Sequence, residues 1–162
     1  MRTITVELGE KTYNIEIAAG LLDQIGAKAR VLSQAVKAAI ISDSNVDPLY
    51  GERLERSLAA SEFEVTRIVF AAGEQSKNLT VLGQVYDELA RAGLTRSDLI
   101  LTLGGGVPGD LGGFAAATFL RGIDFIQVPT SLLAQIDSSV GGKVAIDLPS
   151  GKNLAGSFYQ PK

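Results

Sequence analysis

DLILTLGGGVPGDLGGF, residues 98–114, begins as an apolar strand-like run, breaks at once into glycine, and continues as a segment able to form a helix. Gly104, Gly106 and Gly109 satisfy the spacing G-x-G-x-x-G at that strand-to-helix junction, the context that gives the pattern a meaning. Backbone without side chains lets peptide N–H groups approach a pyrophosphate, and the positive end of the following helix faces the anion. Pro108 suits a first helical turn, where its missing N–H is not needed. The competing reading is a tight turn that lets the helix pack closely on its sheet.

Outward from this stretch, residues 37–42 (KAAIIS), 65–71 (VTRIVFA), 98–103 (DLILTL) and 124–129 (DFIQVP) read as strands. Most are too continuously apolar to have a wet face, and strands buried on both faces are usually parallel. Residues 78–92 predict an amphipathic helix, with Leu79, Leu82, Val85, Tyr86 and Leu89 on one face and Gly93 placed to cap its end. Asp47-Pro48 opens a second helix running to about Ala60. Residues 2–18 alternate apolar and polar around Gly9-Glu10-Lys11, which predicts a hairpin with one buried face. The predicted fold class is α/β: a Rossmann-like parallel sheet with helices on both faces, preceded by an N-terminal β-hairpin. Residues 130–162 are rich in small residues and poor in long apolar runs, so a functional loop system is expected there, with no closing helix or strand.

The 162 residues, 46% hydrophobic and 20% charged, suit one compact domain. With no cysteine and no histidine, the sequence excludes a disulfide scaffold, a zinc site of the Cys or His kind made by this chain alone, and hydrolases that need an imidazole base. Fifteen Lys/Arg against eighteen Asp/Glu leave a net charge of -3, so no basic field exists to hold nucleic acid. The start, MRTITVELGE, has no apolar secretion segment, and no run is long enough to span a membrane. A soluble, cytoplasmic chain is expected, with neither nucleic acid nor membrane as partner.

The glycine loop departs from the ordinary dinucleotide pattern, because it follows a later strand rather than the first. The acidic residue expected about 20 positions on is also missing, the next strand ending in Val128-Pro129-Thr130. Candidates to hold an adenine ribose therefore end other strands: Asp43 and Asn45 in ISDSNV, and Glu74 and Lys77 in AGEQSK. A strand-end turn or cap reads the first pair equally well, and a solvated ion pair the second. Gly141-Gly142-Lys143 and Gly151-Lys152 end like a phosphate-binding P-loop, but Val144 and Asn153 replace the magnesium-holding Ser/Thr, which rules out a P-loop NTPase. Lys143, Lys152 and Arg121 still concentrate cations near the end of the sequence, where lysine can bind phosphate as a point charge. Asp137 interrupts an apolar stretch and is expected to be a buried carboxylate with partners.

The run GGGVPGDLGGFAAATFLRGIDFIQVPTSLLAQIDSSVGGKVAIDLPSGKNLAGSFYQP resembles 3-dehydroquinate synthase in its N-terminal, nucleotide-binding half, and AGEQSK and SDSNV extend the likeness more weakly. Pro108 stands where that family usually has an aliphatic residue, Gly112 where alanine is common, Ser131 where a second threonine is usual, and Ala72 where an acidic residue commonly precedes Gly-Glu. The resemblance implies conversion of 3-deoxy-D-arabino-heptulosonate 7-phosphate to 3-dehydroquinate and phosphate, through transient oxidation by tightly held NAD, phosphate elimination, reduction and aldol closure. It implies a divalent metal, zinc or cobalt, whose Glu and His ligands lie in a C-terminal, mainly helical domain. Residues 1–162 would then be the NAD-binding N-terminal domain of a larger two-domain enzyme, truncated and inactive alone.

By the same resemblance, nucleotide contacts fall on Asp43, Asn45, Gly73, Glu74, Lys77, Gly105, Gly106, Val107, Gly109, Asp110, Thr130 and Ser131, with Lys143 and Lys152 serving both cofactor and substrate and Lys152 near the nicotinamide end. Asp137 matches the carboxylate that contacts the reacting hydroxyl, and Lys143 and Asn153 match residues holding the substrate's phosphate. Arg121 matches an arginine that reaches a phosphate across a homodimer interface. Alternatives are another sugar-phosphate cyclase, a metal-dependent polyol dehydrogenase, or a non-catalytic nucleotide-binding module. The cations at Lys143 and Lys152, with Asn153, disfavour the dehydrogenase, since a neutral polyol does not require them.

Overall fold

The computed structural model describes all 162 residues. Its centre is a four-stranded parallel sheet built from β3 (Lys37–Asp43), β4 (Glu64–Phe70), β5 (Leu99–Gly104) and β6 (Asp124–Pro129), in the spatial order β4-β3-β5-β6. Each predicted strand forms, to within a residue or two. Alternate residues of β3 and β5 serve opposite faces. Ile40, Leu99, Leu101 and Leu103 pack with Leu54 and Leu58 of α2 (Glu52–Ala59) and Ala29 of α1 (Ile25–Leu32). Ala39, Ile41 and Ile100 pack with Leu82, Val85 and Leu89 of α3 (Leu79–Arg91) and with Leu111 and Ala115 of α4 (Gly106–Thr118). The outcome is the predicted three-layer α/β arrangement, with helices on both faces. No helix is long and apolar enough to cross a membrane.

The predicted helices form with their signals in place. The Asn78 side chain accepts from Val81 N at 3.0 Å and starts α3, and Gly93 ends it at φ +67°. Leu79, expected on the apolar face, is exposed. Asp47-Pro48 opens a wide helical turn over Asp47–Gly51 that runs on into α2. The first hairpin, β1 (Arg2–Val6) with β2 (Tyr13–Ile17), is antiparallel around Gly9–Lys11 as expected. Its apolar face is not the buried surface that the alternation implied: Ile4, Leu8 and Ile17 are exposed, and only Tyr13 is buried.

Residues 143–158 correct the expectation of irregular loops. They form a second antiparallel hairpin, β7 (Lys143–Leu148) with β8 (Gly151–Phe158), so the sequence does close on a strand. Val144 and Ile146 are buried in the α3/α4 core, next to Phe125. A side-chain carbon on Gly113 would lie 2.4 Å from Val144 Cγ1, and one on Gly112 2.6 Å from Thr102 Cγ2. These two glycines let α4 fit between the sheet and β7. Within the stretch read as loop material, Gly156 likewise marks close packing, since a side-chain carbon there would lie 2.8 Å from Ala145 Cβ.

Candidate active site

β3 connects outward to β4 and then back across to β5 on its other side, so strand order reverses between β3 and β5. The crevice beyond the C-terminal ends of two such strands is the ligand-binding place of open α/β sheets. Asp43 ends β3 there, and Gly104 ends β5. Gly104 has φ +155°, and a side chain on it would meet the Pro108 ring at 2.5 Å, so the turn itself requires this glycine. Gly105 and Gly106 differ. A side-chain carbon on them would meet only Ser131 Oγ at 3.3 Å and Ser138 Oγ at 3.4 Å, tight contacts that hydroxyls can relax. Packing within the chain thus gives Gly104, Gly112 and Gly113 their reason, and leaves Gly105 and Gly106 open towards the crevice.

No side chain caps α4, and the N–H groups of Gly105, Gly106 and Val107 donate to no acceptor. Three free amides and the positive end of a 13-residue helix make an anion cradle. Thr130 and Ser131 border it: Thr130 N donates to Gly104 O at 2.9 Å, and Ser131 Oγ lies beside Gly105. Asp43 sits on the far lip, buried, its Oδ1 accepting from Asn45 N at 2.9 Å and Val46 N at 3.0 Å. One oxygen is thus committed to the strand-end turn that the sequence also allowed.

Lys77 is not a solvated partner of Glu74. It is only 4% exposed, and its Nζ donates to Asp110 Oδ2 and, at 2.6 Å, to Asn153 Oδ1. Burial pushes the Asp110 carboxyl above its ordinary range, against the pull of the Lys77 ammonium. Glu74 instead faces Lys152, 3.5 Å away and largely exposed. One buried cation therefore joins the first turn of α4 to the β7–β8 hairpin. Gly73, at φ +115°, starts the turn that carries Glu74 and Lys77.

The side chains of three expected site residues make no hydrogen bond or ion pair with this cluster. Asp137 is exposed rather than buried, and its carboxylate has no hydrogen-bond partner. The apolar stretch around it, Leu132, Leu133 and Ile136, is itself exposed, so its context is not a core. Lys143 opens β7 exposed, its ammonium without hydrogen bond or ion pair, four residues from Asp147. Arg121 lies beyond the C-terminus of α4, at the opposite end of the sheet, because α4 is about 20 Å long. There Leu120 and Arg121 both take positive φ, +51° and +69°, a strained pair for non-glycine residues. No group of three or more Asp or Glu side chains is placed to hold a metal ion.

Asp147 was no part of the sequence-based site. Its Oδ1 accepts from Asn153 N at 2.8 Å, and its own N–H donates to Lys77 O at 2.8 Å. The alternation Lys143/Ala145/Asp147 against Val144/Ile146/Leu148, followed by Pro149-Ser150-Gly151, was the available signal.

The family model for 3-dehydroquinate synthase, N-terminal, matches residues 67–162. The chain belongs to this family. A 3-dehydroquinate synthase from Clostridium acetobutylicum is 56% identical over 162 residues, which is all of this chain and 46% of the relative. The chain thus spans about half the length of the curated relatives it matches. Among solved structures, 2-deoxy-scyllo-inosose synthase complexed with carbaglucose-6-phosphate, NAD+ and Co2+ superposes with a TM-score of 0.91 at 29% identity, covering 99% of this chain and 44% of that one. A 2-epi-5-epi-valiolone synthase from Streptomyces hygroscopicus subsp. jinggangensis with NAD+ and Zn2+ gives 0.80 at 28% identity, covering 96% and 43%.

Proposed function

We propose that residues 1–162 form the NAD-binding half of a cytoplasmic 3-dehydroquinate synthase, acting on 3-deoxy-D-arabino-heptulosonate 7-phosphate to give 3-dehydroquinate and phosphate. The observation that carries this is the uncapped N-terminus of α4, with Gly105 and Gly106 open to the crevice between β3 and β5. The 56% identity to a synthase of that name over all of this chain, against 29% for the inosose-forming cyclase, favours this carbocycle over its relatives.

NAD, when bound, supplies reversible hydride acceptance at a ring carbon of the substrate. The free amides of Gly105, Gly106 and Val107 would take its pyrophosphate, with Gly109, Asp110, Thr130 and Ser131 around it. Asp43 and Asn45, with Gly73, Glu74 and Lys77, line the ribose side of the crevice. Lys143, Lys152 and Asn153 would grip the substrate's phosphate, and Asp137 would accept the proton of the hydroxyl being oxidised. Exposure suits Asp137 to that task, since an unpartnered carboxylate keeps both oxygens free. Arg121, too far away to serve its own crevice, would reach the site of a second copy in a homodimer. The residues present do not fit a divalent metal, since no three Asp or Glu side chains converge; the chain alone is expected to bind NAD without turning over substrate.

Calorimetric titration with NAD tests the reading. Measurable, weak binding is expected, and Gly106→Val should weaken it at least tenfold while leaving the melting temperature nearly unchanged, because the new side chain enters the crevice rather than the core. No heat at millimolar NAD, or undiminished binding by the valine variant, would overturn it.

A further inference from the structure

Where Ile146 pairs Ala155 and Leu148 pairs Gly151, three residues of β8, Lys152, Asn153 and Leu154, stand opposite the single residue Asp147. Such bulges leave the ladder unpaired and re-aim side chains. Here the bulge puts Asn153 at φ +55°, a left-handed conformation that asparagine tolerates but does not adopt unaided. A closed ring of three hydrogen bonds holds it: Asp147 N–H to Lys77 O, Asn153 N–H to Asp147 Oδ1, and Lys77 Nζ to Asn153 Oδ1. Lysine can only donate, so Lys77 fixes which way the Asn153 amide faces. Its oxygen is turned to Lys77, and its NH2 donors are left without a partner in the chain.

We propose that Asp147 is a positioning residue for anion binding: by accepting the Asn153 N–H it holds the bulge in the shape that presents the Asn153 amide donors and Lys152 to a phosphate group. This rests on the reading that Asn153 and Lys152 face the substrate's phosphate. A carboxylate so close to an anion works against binding by its charge. Its contribution is therefore geometric, which makes it separable.

The test is titration of the chain with inorganic phosphate, followed by NMR at the Asn153 backbone and side-chain amides, with NAD affinity and melting temperature measured beside it. Asp147→Ala should weaken phosphate binding roughly tenfold, the size of one charge-assisted hydrogen bond, and leave NAD binding within about twofold. Asp147→Asn keeps the acceptor and loses the charge, so it should bind phosphate at least as tightly as the parent. In an Asn153→Ala background, Asp147→Ala should add little, since the two act as one unit. If Asn153→Ala weakens phosphate but Asp147→Ala does not, the positioning role is wrong. If both Asp147 variants tighten binding, the residue acts by charge alone and the role is again wrong. If Asn153→Ala has no effect, the phosphate reading falls and takes this inference with it.

Discussion

The first hairpin leaves Ile4 41% and Ile17 52% exposed, whereas the second buries Val144 to 2% and Ile146 completely against α4. Both are two-stranded antiparallel pairs separate from the parallel sheet, and apolar and polar residues alternate along β1 as along β7. Alternation records that a strand has two unlike faces; it does not say that anything covers the apolar one. For β7 the cover is supplied by Gly113, whose missing side chain admits Val144, while no element of this chain supplies it for β1.

The largest expected effect separates the two hairpins directly. Ile146→Ala removes a fully buried side chain and should cost about 2–5 kcal/mol, whereas Ile4→Ala, on an open face, should stay within about 0.5 kcal/mol. Denaturant unfolding of both variants measures the contrast, and equal losses would abolish it. Because Val144 and Ile146 belong to the core that also holds α4, loss at Ile146 should disturb the glycine crevice, and NAD affinity should fall with stability.

A middle-sized effect comes from the sheet, at the end away from the crevice. Asp98 is buried at the start of β5 and accepts from Lys37 N at 2.8 Å, Thr95 N at 2.7 Å and Thr95 Oγ1 at 2.9 Å, joining β5 to β3. Burial pushes its pKa up, but these donors outweigh burial and hold it below the ordinary value of 3.8. A lowered carboxyl pKa gives stability that is complete above the unfolded value and is lost as pH falls from about 4 through the folded pKa. Asp98→Ala should cost about 1–3 kcal/mol at neutral pH by stranding the Lys37 and Thr95 donors, and should flatten the acid limb of the stability curve below pH 4. An unchanged acid limb would show that the carboxylate is not what ties these strands.

The parallel sheet was legible because its signal is local: Ile40 and Ile41, and Leu99, Ile100, Leu101 and Leu103, put apolar side chains on both faces, as doubly covered strands do. The glycine run was legible as a strand–turn–helix junction, but not in how its glycines divide their work, since Gly113 answers to Val144 some thirty residues away. Lys77 read as a surface residue for the same reason: its partners Asp110 and Asn153 lie 33 and 76 residues on. Asp137 failed in the other direction. Leu132, Leu133 and Ile136 suggested a core around it, and the folded chain leaves all three exposed. The β8 strand was hidden by Gly151 and Gly156 and by its bulge, which break the period that β7 keeps.

The smallest expected effect tests whether the two hairpins are tied to each other. Tyr13, the buried residue of the first hairpin, accepts through its hydroxyl from Gly141 N at 2.8 Å, just ahead of β7. Gly141 has φ +90° with open space where a side chain would stand, so its conformation is held by bonding rather than by packing. Tyr13→Phe deletes the acceptor and leaves the ring, and should cost about 0.5–1.5 kcal/mol, less if water reaches the freed N–H. The more telling readout is local: hydrogen exchange at Gly141 should quicken while amides in β3 and β5 keep their protection, because the sheet takes no part in this contact. If protection at Gly141 is unchanged, the first hairpin is an independent appendage. If β5 amides also open faster, the two hairpins and the sheet unfold as one unit, and the contrast between them concerns burial alone.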